Sequence, residues 1–569
     1  TFLPGVNTAG SNRDSNFNGL PDSFVAITLD GVNNNENYNK STEGLFAMVT
    51  PRQDAVEAVT VTTATAGADV GGHGAVQVAF VTRSGSNRFT GSGYHYHRNP
   101  DLNTNYWFNE NAGLPKNDVK LNQFGFRQGG PIVIPKLYDG RGKAFFFFNY
   151  EELRLPNNFT RDRTILTPDA QAGIFRWDVT VNNQRVIRET NLFNLVGAAG
   201  HPIDRDPVVT SVLNRIRAAA GTTGLITQNT NPNTMNFKWQ SPGYQYEKQP
   251  VVRIDYNLTS KHRLSGTYNW QVVSRDPDQL NGGDVRFPGA PNYSHYISYR
   301  PLASVTLRST LTPNIVNELR GGGRWGPGYF GQLESNGPQT FEDQGGYALS
   351  MGLGTAWHVQ NGPSWRSAWS YEFNDTMSWQ KGNHSLSFGG ALYYGNVWVR
   401  NQQMVPTVSW GVAQRDPARS LFSTANFPGA NNDELADART LFGLLTGRVT
   451  SLGGNIVLDE NTNTYVYLGQ RRQAGKQNEY SAFFQDSWRM TPTLTINAGA
   501  RWDIQRPFEP VNDILSMSTL ADACGISGQN PDGSCRFFDP TASGGKSPTF
   551  VQYDRSSPGW NLDYDNIAP

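Results

Sequence analysis

Val252-Arg253-Ile254-Asp255-Tyr256-Asn257-Leu258, then Thr259-Ser260-Lys261-His262, then Arg263-Leu264-Ser265-Gly266-Thr267-Tyr268-Asn269-Trp270: this stretch decides the fold. Successive side chains of a strand point to opposite faces. Val252, Ile254, Tyr256 and Leu258 therefore share one face, and Arg253, Asp255 and Asn257 the other. After a short turn the return segment alternates again, with Leu264, Gly266, Tyr268 and Trp270 opposed to Arg263, Ser265, Thr267 and Asn269. The two apolar faces match, which predicts an antiparallel hairpin that is apolar on one side and polar on the other.

The same phrase recurs three times outward from there. Ala303, Val305, Leu307 and Leu311 lead through Thr312-Pro313-Asn314 to Ile315 and Leu319, with Arg308, Glu318 and Arg320 on the opposite face. Trp369, Tyr371, Phe373, Met377 and Trp379 face Leu386, Phe388 and Leu392 across Lys381-Gly382-Asn383-His384. Tyr480, Ala482, Phe484, Trp488 and Met490 face Leu494, Ile496, Ala498, Ala500 and Trp502 across Thr491-Pro492-Thr493. Proline and glycine suit these tight connections. Between the pairs, Asp276 to Tyr299, Gly326 to Ser364 and Asn401 to Gln477 are rich in Asn, Gly, Pro, Gln and Asp and carry no such alternation. Compact soluble domains seldom hold loops longer than roughly 15 residues. Short turns alternating with long excursions instead predict an all-β, antiparallel transmembrane β-barrel of a bacterial outer membrane, with short periplasmic turns and long outer loops.

Composition agrees. Hydrophobic residues make up 37% of the 569, mean hydropathy is -0.53, and no run approaches the ~20 apolar residues of a spanning helix. A barrel strand meets lipid with every second residue, so its average hydropathy looks soluble while its alternation does not. Aromatics at 12%, with 14 Trp and 23 Tyr, suit girdles at the two membrane interfaces. Lys+Arg and Asp+Glu both total 48, so the basic footprint of a nucleic-acid binder is missing. Cys524 and Cys535 fall in one Gly/Asn/Pro/Ser-rich stretch; their spacing suits a local disulfide in an oxidising compartment, with two free thiols as the alternative.

The opening segment has a different texture. Val25-Ala26-Ile27-Thr28-Leu29-Asp30-Gly31-Val32 reads as a strand entering a turn, Pro51 to Val61 as a short helical turn and a second strand, and Ala66 to Gly91 as the return. These resemble the plug domain of TonB-dependent outer-membrane receptors. The finer likeness is to the Oar-like subfamily, carried by Leu29-Asp30-Gly31-Val32, Thr82-Arg83-Ser84-Gly85-Ser86-Asn87, Gly129-Gly130-Pro131-Ile132, Ala144-Phe145-Phe146-Phe147-Phe148-Asn149-Tyr150-Glu151, Phe483 to Pro492 and Asn566-Ile567-Ala568-Pro569. The resemblance implies residues 1–86 as the C-terminal part of a plug and 87–569 as the N-terminal part of the barrel. It also implies a fragment of a longer receptor, with about 11 barrel strands against the roughly 22 of a full one. The resemblance further implies that a signal peptide, often a carboxypeptidase-regulatory-like domain, and a TonB-contacting segment belong to the part of the parent receptor that lies ahead of residue 1.

Candidate sites are few. Asp14, Asn16, Asn18 and Asp22 stand in an EF-hand-like order with Gly19 at the sixth place, but the twelfth is Val25 and no closing carboxylate is present. The plain alternative is an Asn/Asp/Gly-rich loop, and no metal site is assigned. His95 and His97 share a strand face, with His73 a conceivable third, and read equally as polar residues lining a wet lumen. Gly72-His73-Gly74 starts like a phosphate loop but lacks the third glycine and the helix. Glu151 and Glu152 are adjacent on a strand, point to opposite faces and read as strand-end solvation. Trp357 and Trp365 suit either sugar stacking or a girdle. Nucleophile elbows and zinc-protease motifs are absent from the sequence, so neither an enzyme nor a cofactor is expected.

The resemblance implies a receptor that binds ligand at the cell surface and imports it with energy from TonB. A surface adhesion or assembly receptor of the same architecture is the alternative, and a soluble all-β propeller or glycan-active enzyme is disfavoured by the unequal loops. Expected partners are TonB, outer-membrane lipid and a ligand left open among glycans, oligopeptides and metal chelates.

Overall fold

The alternating segments form one antiparallel wall. In this computed structural model residues 6–8, 15–17, 22–39, 43–62, 67–68, 76–111, 113–331, 339–512, 514–518, 524–525, 527–536, 544–546, 550–552 and 561–568 are described. A small N-terminal sheet comprises β1 (Val25–Leu29), β2 (Val32–Asn33), β3 (Val56–Thr62) and β4 (Val76–Thr82), in the spatial order β2-β1-β4-β3 with β1 and β4 parallel. The wall follows as β5 (Thr90–Arg98), β6 (Leu121–Pro131), β7 (Ala144–Leu166), β8 (Thr234–Asn257), β9 (His262–Asp276), β10 (His295–Thr312), β11 (Ile315–Arg324), β12 (Ser364–Lys381), β13 (His384–Asn401), β14 (Arg471–Thr491) and β15 (Leu494–Gln505). Each pairs antiparallel with the next, and Ile567–Ala568 adds a short pairing outside β15.

Connections alternate in length as the sequence predicts. Five hairpins close one end within a few residues, or within twelve between β6 and β7, while the other end carries the long excursions. Two limits move: β10 begins at His295 and β14 at Arg471, so Tyr299 and Gln477 belong to strands rather than to patternless loops.

Face alternation holds on the deciding hairpin. Val252 and Ile254 are 36% and 48% exposed, whereas Asp255 is 0% exposed. Val305, Leu319, Phe373, Leu392, Phe484 and Ile496 continue the exposed apolar band around the wall. The opposite face meets the N-terminal sheet, which sits in the concavity. Placing a cation in the apolar band tests this orientation. Val252→Arg is expected to destabilise the wall by about 2–4 kcal/mol, the cost of a charge near the membrane midplane. Urea titration of the protein refolded in lipid vesicles measures it, and an unchanged midpoint would exclude lipid contact at Val252.

The long excursions are not patternless. They hold α1 (Leu192–Ala198), α2 (Pro207–Ala220), α3 (Asn432–Thr446) and a hairpin of Ile174–Val181 with Gln184–Asn191. Together they bury the largest apolar cluster among the described residues, including Phe175, Trp177, Leu192, Val212, Ile216, Phe287, Trp357, Phe427, Leu441 and Phe442. A spanning strand needs about 9–11 residues, while β7 has 23 and β8 has 24. Their surplus length stands outside the membrane and supplies Ile165, Leu166, Phe237 and Trp239 to the base of this lobe. Cys524 and Cys535 are joined by a disulfide in the excursion after β15.

Candidate functional site

The N-terminal sheet is tied to the wall by polar groups at several levels. Arg52, just before the 3-10 turn Gln53–Ala55, sends its guanidinium between two wall carboxylates. Its Nε lies 3.2 Å from Glu151 Oε1 on β7, and Nη2 donates to Glu247 on β8. Glu151 also accepts from Tyr94 OH at 2.9 Å and Gln123 Nε2 at 2.8 Å; Glu247 accepts from Gln245 and Gln271. The side chain of Gln271 in turn accepts from Thr50 N at 3.0 Å. Strand-end solvation is therefore the wrong reading for both carboxylates. Glu151 is a buried inward anchor, and Glu152 on the other face is bound by Tyr150 OH at 2.8 Å and Arg154 Nε at 2.6 Å. Burial in a structured wall was not visible in two adjacent acidic letters.

A second tie lies at the β1–β2 turn. Asp30 and Gly31 adopt φ of 50° and 76°, a left-handed pair that glycine tolerates and aspartate supports. The Arg320 guanidinium packs so close to Gly31 that a Cβ there would collide with it. Asp30 accepts from Thr82 N at 2.9 Å and from Thr82 Oγ1, and Arg253 Nη1 donates to Thr82 O at 2.8 Å. Burial pushes the Asp30 carboxyl up from its ordinary value, with the Thr82 bonds and Arg253 opposing. Further along, Asn33 N donates to Glu372 Oε1 at 2.5 Å, Asn37 Nδ2 donates to Tyr393 OH at 2.5 Å, and Arg300 Nη1 donates to Met48 O at 2.9 Å. Apolar contact is confined to small clusters such as Leu29, Val32, Val49 and Leu302. Between the sheet and β10–β15 a cavity of about 570 Å³ is lined by Thr28, Asn33, Arg308, Glu318, Glu372 and Glu479 among others.

The outer lobe is the other candidate surface. Trp239, Phe237, Phe287 and Trp357 stack in a column with centroid steps of 6.4, 6.3 and 5.8 Å, capped by the Arg215 guanidinium 5.5 Å from the Trp357 ring. Trp357 is thus a core residue, not a free sugar platform; Trp365 sits partly buried on β12. Sequence signals for the lobe existed. Asp206-Pro207 is an N-cap followed by proline at the first helical position, and Asn431 with Glu434 forms a capping box. Val209, Val212, Leu213, Ile216 and Ala220 follow at helical spacing.

His358 gives the lobe a pH dependence. Its Nε2 lies 2.8 Å from Asp343 Oδ1, Asp343 is also bonded by Arg215, and Phe341 stacks on the imidazole at 4.5 Å. Burial holds the His358 pKa below its ordinary 6.5, with the Asp343 contact opposing. A depressed histidine leaves the unfolded state binding more protons, so the lobe is at full stability above pH 6.5 and loses it as the pH falls toward the depressed value. Hydrogen exchange at pH 7.5 and 5.5 is expected to show faster opening of residues 339–360 at the lower pH, a difference abolished in His358→Gln. Equal protection factors at both values, each referred to the intrinsic exchange rate at its pH, would rule this out.

Other expectations meet the coordinates as follows. Asp14 and Asn18 lie outside the described residues, as do the side chains of Asn16 and Asp22 and the whole of Gly72-His73-Gly74. His95 and His97 are on β5 but do not line the lumen. Tyr94 reaches inward to Glu151, so its neighbours point outward, where both imidazoles meet Asn122 Oδ1 at 3.3 and 3.0 Å and His95 packs on Phe124. Among the described residues no group of three or more His, Cys, Asp or Glu is placed to hold a metal ion.

Residues 81–569 match the family described as outer membrane beta barrel domain, and the chain belongs to that family. It is a bacterial outer-membrane β-barrel protein, so the short-turn end faces the periplasm and the lobe faces outward. Curated proteins yield no match. Among solved structures it is similar to the outer membrane transporter YddB from Escherichia coli, at 11% identity over 88% of this chain and 52% of that one, with a TM-score of 0.47. It is similar too to the ferripyoverdine receptor of the outer membrane of Pseudomonas aeruginosa, at 9% identity over 97% and 51%, TM-score 0.45. A third is the siderophore receptor PiuA from Acinetobacter baumannii, at 11% identity over 96% and 56%, TM-score 0.40. The chain spans about half the length of these structures.

Proposed function

We propose that this chain is the plug-proximal part of a TonB-dependent importer of the Oar-like subfamily, with residues 1–86 as plug and 87–569 as barrel. Ligand binds on the outward side and passes the wall when TonB, energised from the inner membrane, pulls on the plug. The observation that carries this is the attachment of the inner sheet. It is held by directional polar bonds, among them the Arg52 clamp between Glu151 and Glu247, with little apolar packing. Seated, these polar groups are buried and bonded to the wall; drawn off it they regain water, a compensation that an apolar core lacks, so such a plug can be released with the wall left folded. The role is transport rather than catalysis. Glycans, oligopeptides and metal chelates all remain candidate cargoes.

Adhesion or surface assembly without import is the second reading, supported by the lobe, which buries a core of its own and presents a preformed outer surface. One experiment separates them. Cells producing the gene's full product are given labelled oligodextrin, oligopeptide and ferric chelate, with and without a protonophore. Import predicts accumulation abolished by the protonophore; accumulation indifferent to it, or surface binding with no accumulation, overturns the energised reading.

A further inference from the structure

In the β7–β8 excursion, the hairpin of Ile174–Val181 with Gln184–Asn191 has two outer edges of different character. Its turn is the two-residue Asn182-Asn183, with φ of 50° and 60°. The flanking pair Val181–Gln184 is therefore hydrogen-bonded, and bonded pairs recur at every second position. That parity turns the backbone groups of Arg176 and Asp178 out along one edge, and those of Arg185, Ile187 and Glu189 out along the other. The first edge is capped. The side chain of Asn233 accepts from Arg176 N at 2.8 Å and donates to Arg176 O at 2.7 Å, and Glu434 Oε1 accepts from Asp178 N at 3.0 Å. The second edge is bare: among the described residues nothing bonds the backbone groups of Arg185, Ile187 or Glu189. Every residue from Gln184 to Glu189 is exposed, so this strand overhangs the lobe.

An exposed strand with unpaired backbone groups and apolar side chains is a template for another strand unless its charges forbid the pairing. Val186 and Ile187 are 40% and 53% exposed, and the charges around them are selective. For a second copy running antiparallel along the same edge, registers that oppose Arg185 to Arg185, Arg188 to Arg188 or Glu189 to Glu189 set like charges face to face and are destabilised. Opposing Val186 to Val186 sets Arg185 against Ile187 and gains no opposite charge. Opposing Ile187 to Ile187 sets Arg185 against Glu189 of the second copy, twice by symmetry. Bonding parity agrees, because these pairs fall on the residues whose backbone groups are bare, giving about six N–H···O bonds. Arg176 already lies 2.9 Å from Glu189, so the row continues in alternating sign into the second copy's Arg185. A two-fold axis normal to the sheet keeps both lobes on one side of it, the arrangement of neighbours side by side.

We propose that this edge joins two copies of the chain, neighbours in one membrane, through a four-stranded antiparallel sheet at the cell surface. Arg185 and Glu189 set its register, and Ile187 sits on the two-fold axis. Confinement of both copies to one membrane raises their effective concentration, which favours a contact of this small size. The contact goes beyond the import reading and stands whether or not cargo is moved.

The test uses cells producing the full gene product with one added cysteine, oxidised with copper phenanthroline and analysed on non-reducing gels. Cys524 and Cys535 are already bonded to each other. Opposed residues of a bonded pair stand about 5.5 Å apart at Cα, within the span of a disulfide. Ile187→Cys is therefore expected to give a dimer as the main band. Val186→Cys opposes Arg188 and lies roughly 8 Å from its own counterpart, too far to bridge, so at least tenfold less dimer is expected. In the Ile187→Cys protein, Arg185→Glu should cut the dimer at least tenfold, and adding Glu189→Arg should restore it. Within one hairpin that exchange sets like charges beside Asp178 and Arg176, so restoration reports the second copy; such exposed pairs contribute little to folding. Glu189→Pro deletes an N–H that the hairpin itself does not use and should also abolish the dimer. Equal yields from the two cysteines, no restoration by the charge exchange, or a full yield in Glu189→Pro overturns the contact. Absence of dimer from both cysteines overturns it too: labelling of position 187 by an impermeant maleimide would then show a bare edge, and protection would show the rest of the gene product lying over it.

Discussion

Replacing Arg52 by glutamate is expected to detach the plug from the wall. Arg52 is the one cation between Glu151 and Glu247, and its side chain is 15% exposed while that of Glu151 is 2% exposed. Removing a partner from a buried ion pair costs about 3–5 kcal/mol, because the charges left behind have neither water nor a counterion. A carboxylate in place of the guanidinium adds repulsion from both neighbours. The expected result is a loss of about two to three orders of magnitude in amide protection over residues 22–39 and 43–62, each tenfold corresponding to about 1.4 kcal/mol. Amides of β8 to β13 should keep wild-type protection. The double variant Arg52→Glu, Glu247→Arg restores one opposite-charge contact and should recover part of the loss. Hydrogen exchange read by mass spectrometry on protein in detergent measures all three. Wild-type protection in Arg52→Glu would mean that the Asp30–Thr82–Arg253 tie and the apex contacts hold the plug unaided.

Legibility in the sequence followed periodicity. A strand half in lipid writes its fold at every second letter, so Val252 to Trp270 and its three echoes were readable, down to the face on which each residue sits. The same rule misled at His95 and His97. Alternation says that two residues share a face but not which face is inside, and only the contact of Tyr94 with Glu151 fixes that choice. Glu151 and Arg52 are about 100 positions apart in the chain, and no local pattern joins such a pair. Within the excursions the period changes from two to about 3.6. Asn, Gly and Pro dominate their composition while a minority of spaced apolar residues builds the core, so α2 and α3 were hidden by average polarity despite clear caps at Asp206 and Asn431.

That hidden core makes the lobe the place for the second large effect. Phe237 is 0% exposed and sits in the middle of the ring column, with Trp239 stacked on one side at an interplanar angle of 10° and Phe287 on the other at 13°. Three separate excursions meet there: the β7–β8 connection ends at its base, the β9–β10 connection supplies Phe287, and the β11–β12 connection supplies Trp357. Phe237→Ala removes the ring without letting β8 move, because Phe237 is paired with Arg163 on one side and Ile226 on the other. The cavity therefore cannot collapse, and the expected cost is at the full range of about 3–5 kcal/mol for a buried aromatic cut to alanine. Among the described residues the column's apolar cluster draws on the wall only at the outer ends of β7 and β8, so the damage should stop at the membrane. Limited proteolysis of intact cells producing the full gene product is expected to cleave between residues 170 and 230 and between 410 and 450 in Phe237→Ala but not in wild type. The heat-modifiable barrel band should persist. Phe237→Leu, which keeps most of the volume, should give an intermediate pattern. Resistance of Phe237→Ala equal to wild type would show that the excursions are held by their strand ends alone and that the column contributes nothing to their order.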